Sequence, residues 1–282
     1  MASERLYLEH FGFSERPFTL LPDPDLLFWS SQHRKAFDVM QYGLFTRSPV
    51  TLLTGEIGAG KTTLVQTLLR QMDDGVTVGL ISNAQGGRHD LLRWVLRAFD
   101  LPLEPHADYV TVFHAFQDFM LAEYAAGRRV LLIVDEAQNL SQEGLEEVRM
   151  LTNINSGKDE LLQLLLVGQP ELRDTVRHPN MRQLAQRITA AIHLQALTAD
   201  ETSDYIHHRL TNVGGTGTEI AASAIAMIHE HAGGIPRILN QLCDLALLYA
   251  WGQDQTSATA EDVQSVMESD VFLRSTDQET RP

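Results

Sequence analysis

One segment limits this chain's choices more than any other. Gly55-Glu56-Ile57-Gly58-Ala59-Gly60-Lys61-Thr62 fits the pattern G-x-x-x-x-G-K-[ST]. Residues 49–54 before it form a short apolar run of strand length, and residues 62–72 after it carry Leu64, Leu68 and Leu69 at helical spacing. A strand that turns through glycines into a helix aims consecutive backbone N–H groups at one point, and the helix adds the positive end of its dipole. Such a cradle is built for the phosphates of a nucleotide. Lys61 is expected to reach the β- and γ-phosphates, Thr62 to hold Mg²⁺, and Thr63 to follow on the same first helical turn.

Further strands are predicted at Val76–Ser82, 129–134, 162–167 and Ile188–Leu194, each followed by polar or helical sequence. Strands alternating with helices imply a parallel, doubly wound sheet in a three-layer α/β core. Ser141 is placed to cap a helix, with Leu140 and Leu145 as its hydrophobic staple, and Thr198 and Glu201 are spaced as a capping box. From residue 198 to about 267 the periodicity is helical throughout, interrupted by Gly214-Gly215 and Gly233-Gly234, which predicts a small all-helical C-terminal domain. For 282 residues two folding units are expected. The predicted division is an N-terminal extension at 1–30, the α/β core at 31–196, a helical lid at 197–270 and a flexible polar tail at 271–282.

The chemistry-bearing residues fall at strand ends. Residues 130–134, all aliphatic, run into Asp135-Glu136, which puts two carboxylates where parallel sheets bind ligands. Asp135 is expected to serve Mg²⁺, and Glu136 to orient or deprotonate an attacking water. Gln169, after the next strand, either positions that water or is an ordinary loop glutamine before Pro170. Arg237 follows Pro236 at a helix start, where a cation gains nothing from the dipole, so a contact with a γ-phosphate competes with simple solvation.

Composition narrows the partners. A formal net charge of −15 opposes broad contact with a polyanion, so DNA is disfavoured, although Arg88, Arg93 and Arg97 cluster, as do Arg173, Arg177, Arg182 and Arg187. No apolar run approaches the roughly 20 residues a membrane helix needs, and the first ten residues show no export pattern, so a cytoplasmic location is expected. The single Cys243 lies in an apolar helical stretch and reads as a buried structural thiol.

Taken in order, these elements resemble the AAA+ ATPases: two nucleotide motifs, a polar sensor at Gln169, and Gly-Ile-Pro-Arg ending at Arg237. More narrowly, Phe11-Gly12-Phe13, Arg16-Pro17-Phe18, Pro22-Asp23-Pro24, Asp135-Glu136-Ala137-Gln138-Asn139-Leu140, Val167-Gly168-Gln169-Pro170-Glu171-Leu172 and Gln186-Arg187-Ile188 look like the ExeA/GspA group, related to TnsC/TniB/MuB-type ATPases. The resemblance implies an ATP hydrolase working as a homo-oligomer, ring or filament, that drives or licenses assembly of a secretion or envelope-export machine at the inner membrane. A DNA-binding transposition regulator and a slow ATP switch are the rival readings. It also implies that Arg187, with Arg182 in reserve, reaches into a neighbour's ATP site. In the same way it assigns Phe11, Phe13, Phe18 and Ile206 to enclosing the adenine, unless they are simply core. Two departures stand out. Secretion-type members commonly continue into a membrane helix and a cell-wall-binding domain, where this sequence ends in a polar tail. Gln169 replaces the Asn, Thr or Ser that many AAA+ proteins use.

Overall fold

The apolar runs do become strands. The computed structural model describes residues 7–82, 88–102, 104, 106–156, 159–269 and 272, with the backbone alone for 88–90. The expected tail at 271–282 lies outside these residues except for Phe272, as does the side chain of Arg88. The strands are β1 (Val50–Gly55), β2 (Val76–Ser82), β3 (Arg129–Asp135), the short pair β4 (Asn155–Ser156) and β5 (Asp159–Glu160), β6 (Leu162–Gly168) and β7 (Ile188–Leu194). Five of them form one sheet in the order β2-β3-β6-β1-β7, with every neighbouring pair parallel. β4 and β5 make a separate antiparallel hairpin, which no hydrophobic period in the sequence announces.

The helices are α1 (Leu8–Phe11), α2 (Ser31–Phe45), α3 (Lys61–Arg70), α4 (Arg88–Ala98), α5 (Tyr109–Ala125), α6 (Gln142–Leu151), α7 (Pro170–Arg177), α8 (Arg182–Ala185), α9 (Ala199–Asn212), α10 (Ala222–Ala232), α11 (Pro236–Gly252) and α12 (Ala260–Glu268). Local chemistry sets several starts. Ser141 accepts from the Gly144 N–H at 3.1 Å and opens α6, while Thr198 and Glu201 close a reciprocal capping box on α9. Each such cap is worth about 1 kcal/mol. Among the described residues no helix is long and apolar enough to cross a membrane.

The chain divides into two compact units: Ser31–Glu56 with Lys61–Gln195, and Met1–Ser30 with Ile57–Gly60 and Ala196–Pro282. The first is the α/β unit. Its central strands are aliphatic at successive positions because helices cover both faces, and Val130, Leu131, Leu132, Ile133 and Val134 are all buried. Burying one such side chain contributes about 1.5–3 kcal/mol, so β3 alone is a large stabilising element.

In the second unit α9–α12 surround Leu239, Leu242, Cys243 and Leu247, all fully buried, and burial pushes the Cys243 thiol well up. Tyr7, Phe13 and Phe18 belong to the same core. Polar ties hold that N-terminal stretch in place. The Tyr7 hydroxyl and the Arg16 guanidinium both donate to Asp244 of α11, Arg209 Nε donates to the Pro17 carbonyl at 2.6 Å, and Asn240 Nδ2 donates to the Thr19 carbonyl at 2.8 Å. Residues 7–30 are thus built into the helical unit.

Candidate functional site

Strand register assembles the site. Leu53 pairs with Val167 and Thr54 with Gly168 across β1 and β6, while Val134 pairs with Leu166 across β3 and β6. The carboxyl ends therefore stand level, and Gly55, Asp135-Glu136 and Gln169 leave the sheet side by side. The loop after β1 needs glycine at 58, where φ is +80° and an added Cβ would meet the Arg237 Cβ at 2.4 Å.

Lys61 opens α3 with its ammonium buried and donating to the carbonyls of Gly55 at 2.8 Å and Glu56 at 2.9 Å. Burial lowers its pKa, and the carboxylates of Glu136 and Asp135 work against that shift. The ammonium is held across its own loop by neutral acceptors, which a phosphate would displace. Thr62 Oγ1 donates to Asp135 Oδ2 at 3.1 Å, and Asp135 Oδ1 accepts from the Glu136 N–H at 2.9 Å. Burial raises the Asp135 carboxyl above its ordinary range, against those two hydrogen bonds. One hydroxyl and one carboxylate on adjacent elements are hard oxygen donors of the kind Mg²⁺ takes alongside phosphate oxygens and water, so the residues fit that ion.

Glu136 has a left-handed backbone, φ +54°, and its carboxylate is engaged by two amides. Gln138 Nε2 donates to Oε2 at 2.5 Å and Gln169 Nε2 at 3.1 Å, while Gln138 Oε1 accepts from the Gln169 N–H at 3.0 Å. Gln138 thus links the ends of β3 and β6. The sequence had marked Gln138 only as part of a family motif, and its spacing from Glu136 carries no mechanistic signal. His193 is a second residue without a motif. Its Nδ1 lies 3.1 Å from Thr54 Oγ1, one residue before the loop, and burial together with the Arg173 guanidinium lowers its pKa.

The candidate arginines differ. Arg187 stands just before β7 and is already engaged: its guanidinium donates to Glu160 Oε1 at 3.0 Å and to Asn153 Oδ1. Arg237, in the helical unit, is exposed and makes no side-chain ion pair or hydrogen bond among the described residues, while its backbone N–H donates to the Gly58 carbonyl at 3.2 Å. Arg182 is exposed at the start of α8. Ile206, Phe13 and Phe18 are core residues of the helical unit with almost no accessible surface, and Phe11 packs against them. Arg93 donates to the Ala107 carbonyl at 2.7 Å and so ties α4 to the loop that follows it.

Residues 46–176 match the family described as AAA domain. Among solved structures, the ORC2 protein of Aeropyrum pernix, in its ADPNP-ADP complexes, aligns with a TM-score of 0.63 at 18% identity, over 86% of this chain and 68% of that one. Drosophila ORC bound to DNA aligns with a TM-score of 0.70 at 12% identity, over 94% and 66%. The fold is that of an AAA+ ATPase. At such identities the likeness speaks for the AAA+ architecture alone. In sequence, General secretion pathway protein A of Aeromonas hydrophila is 38% identical over 258 residues, which are 92% of this chain and 47% of that protein. The resemblance to the ExeA/GspA group therefore runs along nearly the whole chain, and the chain spans about half the length of that relative.

Proposed function

We propose that this chain binds ATP with Mg²⁺ and hydrolyses it within a homo-oligomer, ring or filament, and that the cycle drives or licenses assembly of a secretion or envelope-export machine at the cytoplasmic face of the inner membrane. The observation that carries the proposal is the linked set Lys61, Thr62, Asp135, Glu136 and Gln169 at level strand ends. Lys61 turns from the Gly55 and Glu56 carbonyls to the β- and γ-phosphates. Backbone N–H groups of residues 55–62 receive the phosphate oxygens. Thr62 and Asp135 hold Mg²⁺, which when bound neutralises charge developing on those oxygens.

Glu136 orients the attacking water once its carboxylate is released by Gln138 and Gln169, and Gln169 then steadies that water. Arg237 contacts the γ-phosphate in the same subunit, and Arg187 reaches the site of a neighbouring one. The likeness to General secretion pathway protein A supports a secretion partner, and the net charge of −15 supports a protein partner over DNA. A slow ATP switch is the second reading, favoured by the two amides that hold Glu136.

Calorimetry and steady-state turnover on two variants test the mechanism. Lys61→Ala is expected to lose nucleotide binding, because no other side chain in the loop offers the phosphates a charge. Glu136→Gln is expected to bind ATP like the parent and to turn over about 10²- to 10⁴-fold more slowly. Parent-rate hydrolysis by Glu136→Gln would remove Glu136 from the mechanism, and parent turnover too slow to tell from that variant's would favour the switch.

A further inference from the structure

The α/β unit carries a cavity of about 530 Å³ at the amino ends of its strands, the edge opposite the phosphate loop. The last turns of α2 and α3 form its walls, and Arg129 of β3 and Gln163 of β6 form its floor. That floor is committed to structure: Gln163 Nε2 donates to the Leu44 carbonyl at 3.1 Å and Arg129 Nη1 to the same oxygen at 3.4 Å. Both side chains add a donor to a helix-end carbonyl that also accepts from the Arg47 N–H at 3.3 Å. The rim is different. Tyr42 is 61% exposed and Phe45 is 86% exposed. With Asp38 they form one stripe of α2, at spacings of about one and two turns. Across the cavity Asp73 follows α3 and is exposed as well. Two large aromatics and two carboxylates therefore face solvent around a hollow whose one cation is turned toward a backbone carbonyl.

We propose that this groove docks a segment of a partner protein presenting a large apolar side chain flanked by lysine or arginine. The chemistry of the rim selects that occupant. A small molecule filling the hollow leaves Phe45 in water, whereas a polypeptide wide enough to cross the rim covers it, and exposed aromatics beside a cavity are typical anchors for protein contacts. Asp38 and Asp73 repel nucleic acid and attract a basic flank. α3 begins at Lys61 and its last turn lines the groove, so one helix serves both ends of the unit. The proposal stands apart from the nucleotide chemistry and does not need it.

Fluorescence anisotropy on the full chain tests it with three short labelled peptides: leucines flanked by lysines, the same leucines flanked by glutamates, and the lysines without leucine. The first is expected to bind roughly tenfold more tightly than either of the others, weakening with salt. Phe45→Ala, on an exposed side chain that the fold does not need, is expected to lose about tenfold of that affinity. Asp38→Lys with Asp73→Asn, which keeps the acceptor for the Gly75 N–H, is expected to remove the preference for the lysine peptide over the glutamate one. Amide hydrogen exchange is expected to slow at the end of α2 when the lysine-leucine peptide is bound. Equal binding of all three peptides, unchanged affinity in Phe45→Ala, or protection elsewhere overturns the proposal. Loss of self-association in Phe45→Ala without any peptide preference would assign the groove to a second copy and overturn it equally.

Discussion

The same five strands end in two different kinds of polar chemistry. At their carboxyl ends Thr62 bonds to Asp135 and both Gln138 and Gln169 bond to Glu136, while Lys61 is held by the Gly55 and Glu56 carbonyls that a phosphate would displace. At their amino ends Gln163 and Arg129 bond to backbone, holding the carbonyls that close α2. A network of side chains has alternatives and can be re-paired by an incoming ligand. A side chain that adds a second donor to a helix-end carbonyl has fewer, because that carbonyl is fixed by the Ser48 and Arg47 N–H groups that close the helix. One edge of the sheet is thus organised for exchange and the other for permanence.

Arg187 is the most severe trial of that contrast, because it precedes β7 at the permanent edge and is already paired with Glu160 and Asn153. Arg187→Ala is expected to keep ATP affinity and lose roughly 10³-fold in turnover, a loss of the size seen when a trans arginine is absent. Specific activity should rise with protein concentration, and mixing Arg187→Ala with Lys61→Ala protein should restore activity. Full activity in Arg187→Ala would confine the residue to its ion pair, worth about 0–1 kcal/mol at this exposure, and would leave the contrast intact.

Gln163→Leu probes the permanent edge directly. It removes one donor from the Gly43 and Leu44 carbonyls, which keep the Ser48 and Arg47 N–H groups, and is expected to cost about 0.5–1.5 kcal/mol in urea unfolding, with ATP affinity unchanged. A shift in ATP affinity instead would mean that the two edges are coupled.

The smallest effect, and the one of opposite sign, is expected at Asp135. Its carboxyl titrates above the ordinary range because it is buried, so without Mg²⁺ the folded chain carries a charge at neutral pH that the unfolded chain holds more cheaply in water. A raised carboxylate pKa means stability present at low pH and lost as pH rises through the folded value. Asp135→Asn is therefore expected to be slightly more stable at neutral pH in nucleotide-free protein, the gain fading as pH falls, while Mg²⁺-dependent turnover is lost. Melting curves across pH with turnover assays check both halves.

How far these edges were legible follows from the range of their contacts. The strands were readable to within about a residue because both faces are covered and the apolar runs are unbroken, and the caps at Ser141 and Thr198 because their bonds close within three residues. The sharing of the Glu136 carboxylate between Gln138 and Gln169 was not readable, since one partner is near and the other sits at the end of another strand. Gln163 acts on carbonyls more than a hundred residues away, as Tyr7 and Arg16 act on Asp244, and no period or spacing encodes such a pair. The β4–β5 hairpin has two residues on each side and no apolar face, which leaves no pattern to read.

Glu136 carries a final consequence, in the language of selection. A side chain held at φ +54° costs about 1–2 kcal/mol relative to a glycine there. Selection for thermal stability alone favours glycine or asparagine at this position, while under the proposed mechanism selection for turnover retains the carboxylate. The two pressures are opposed at a single codon, so the route by which such a chain drifts toward higher stability and lower turnover is one substitution long.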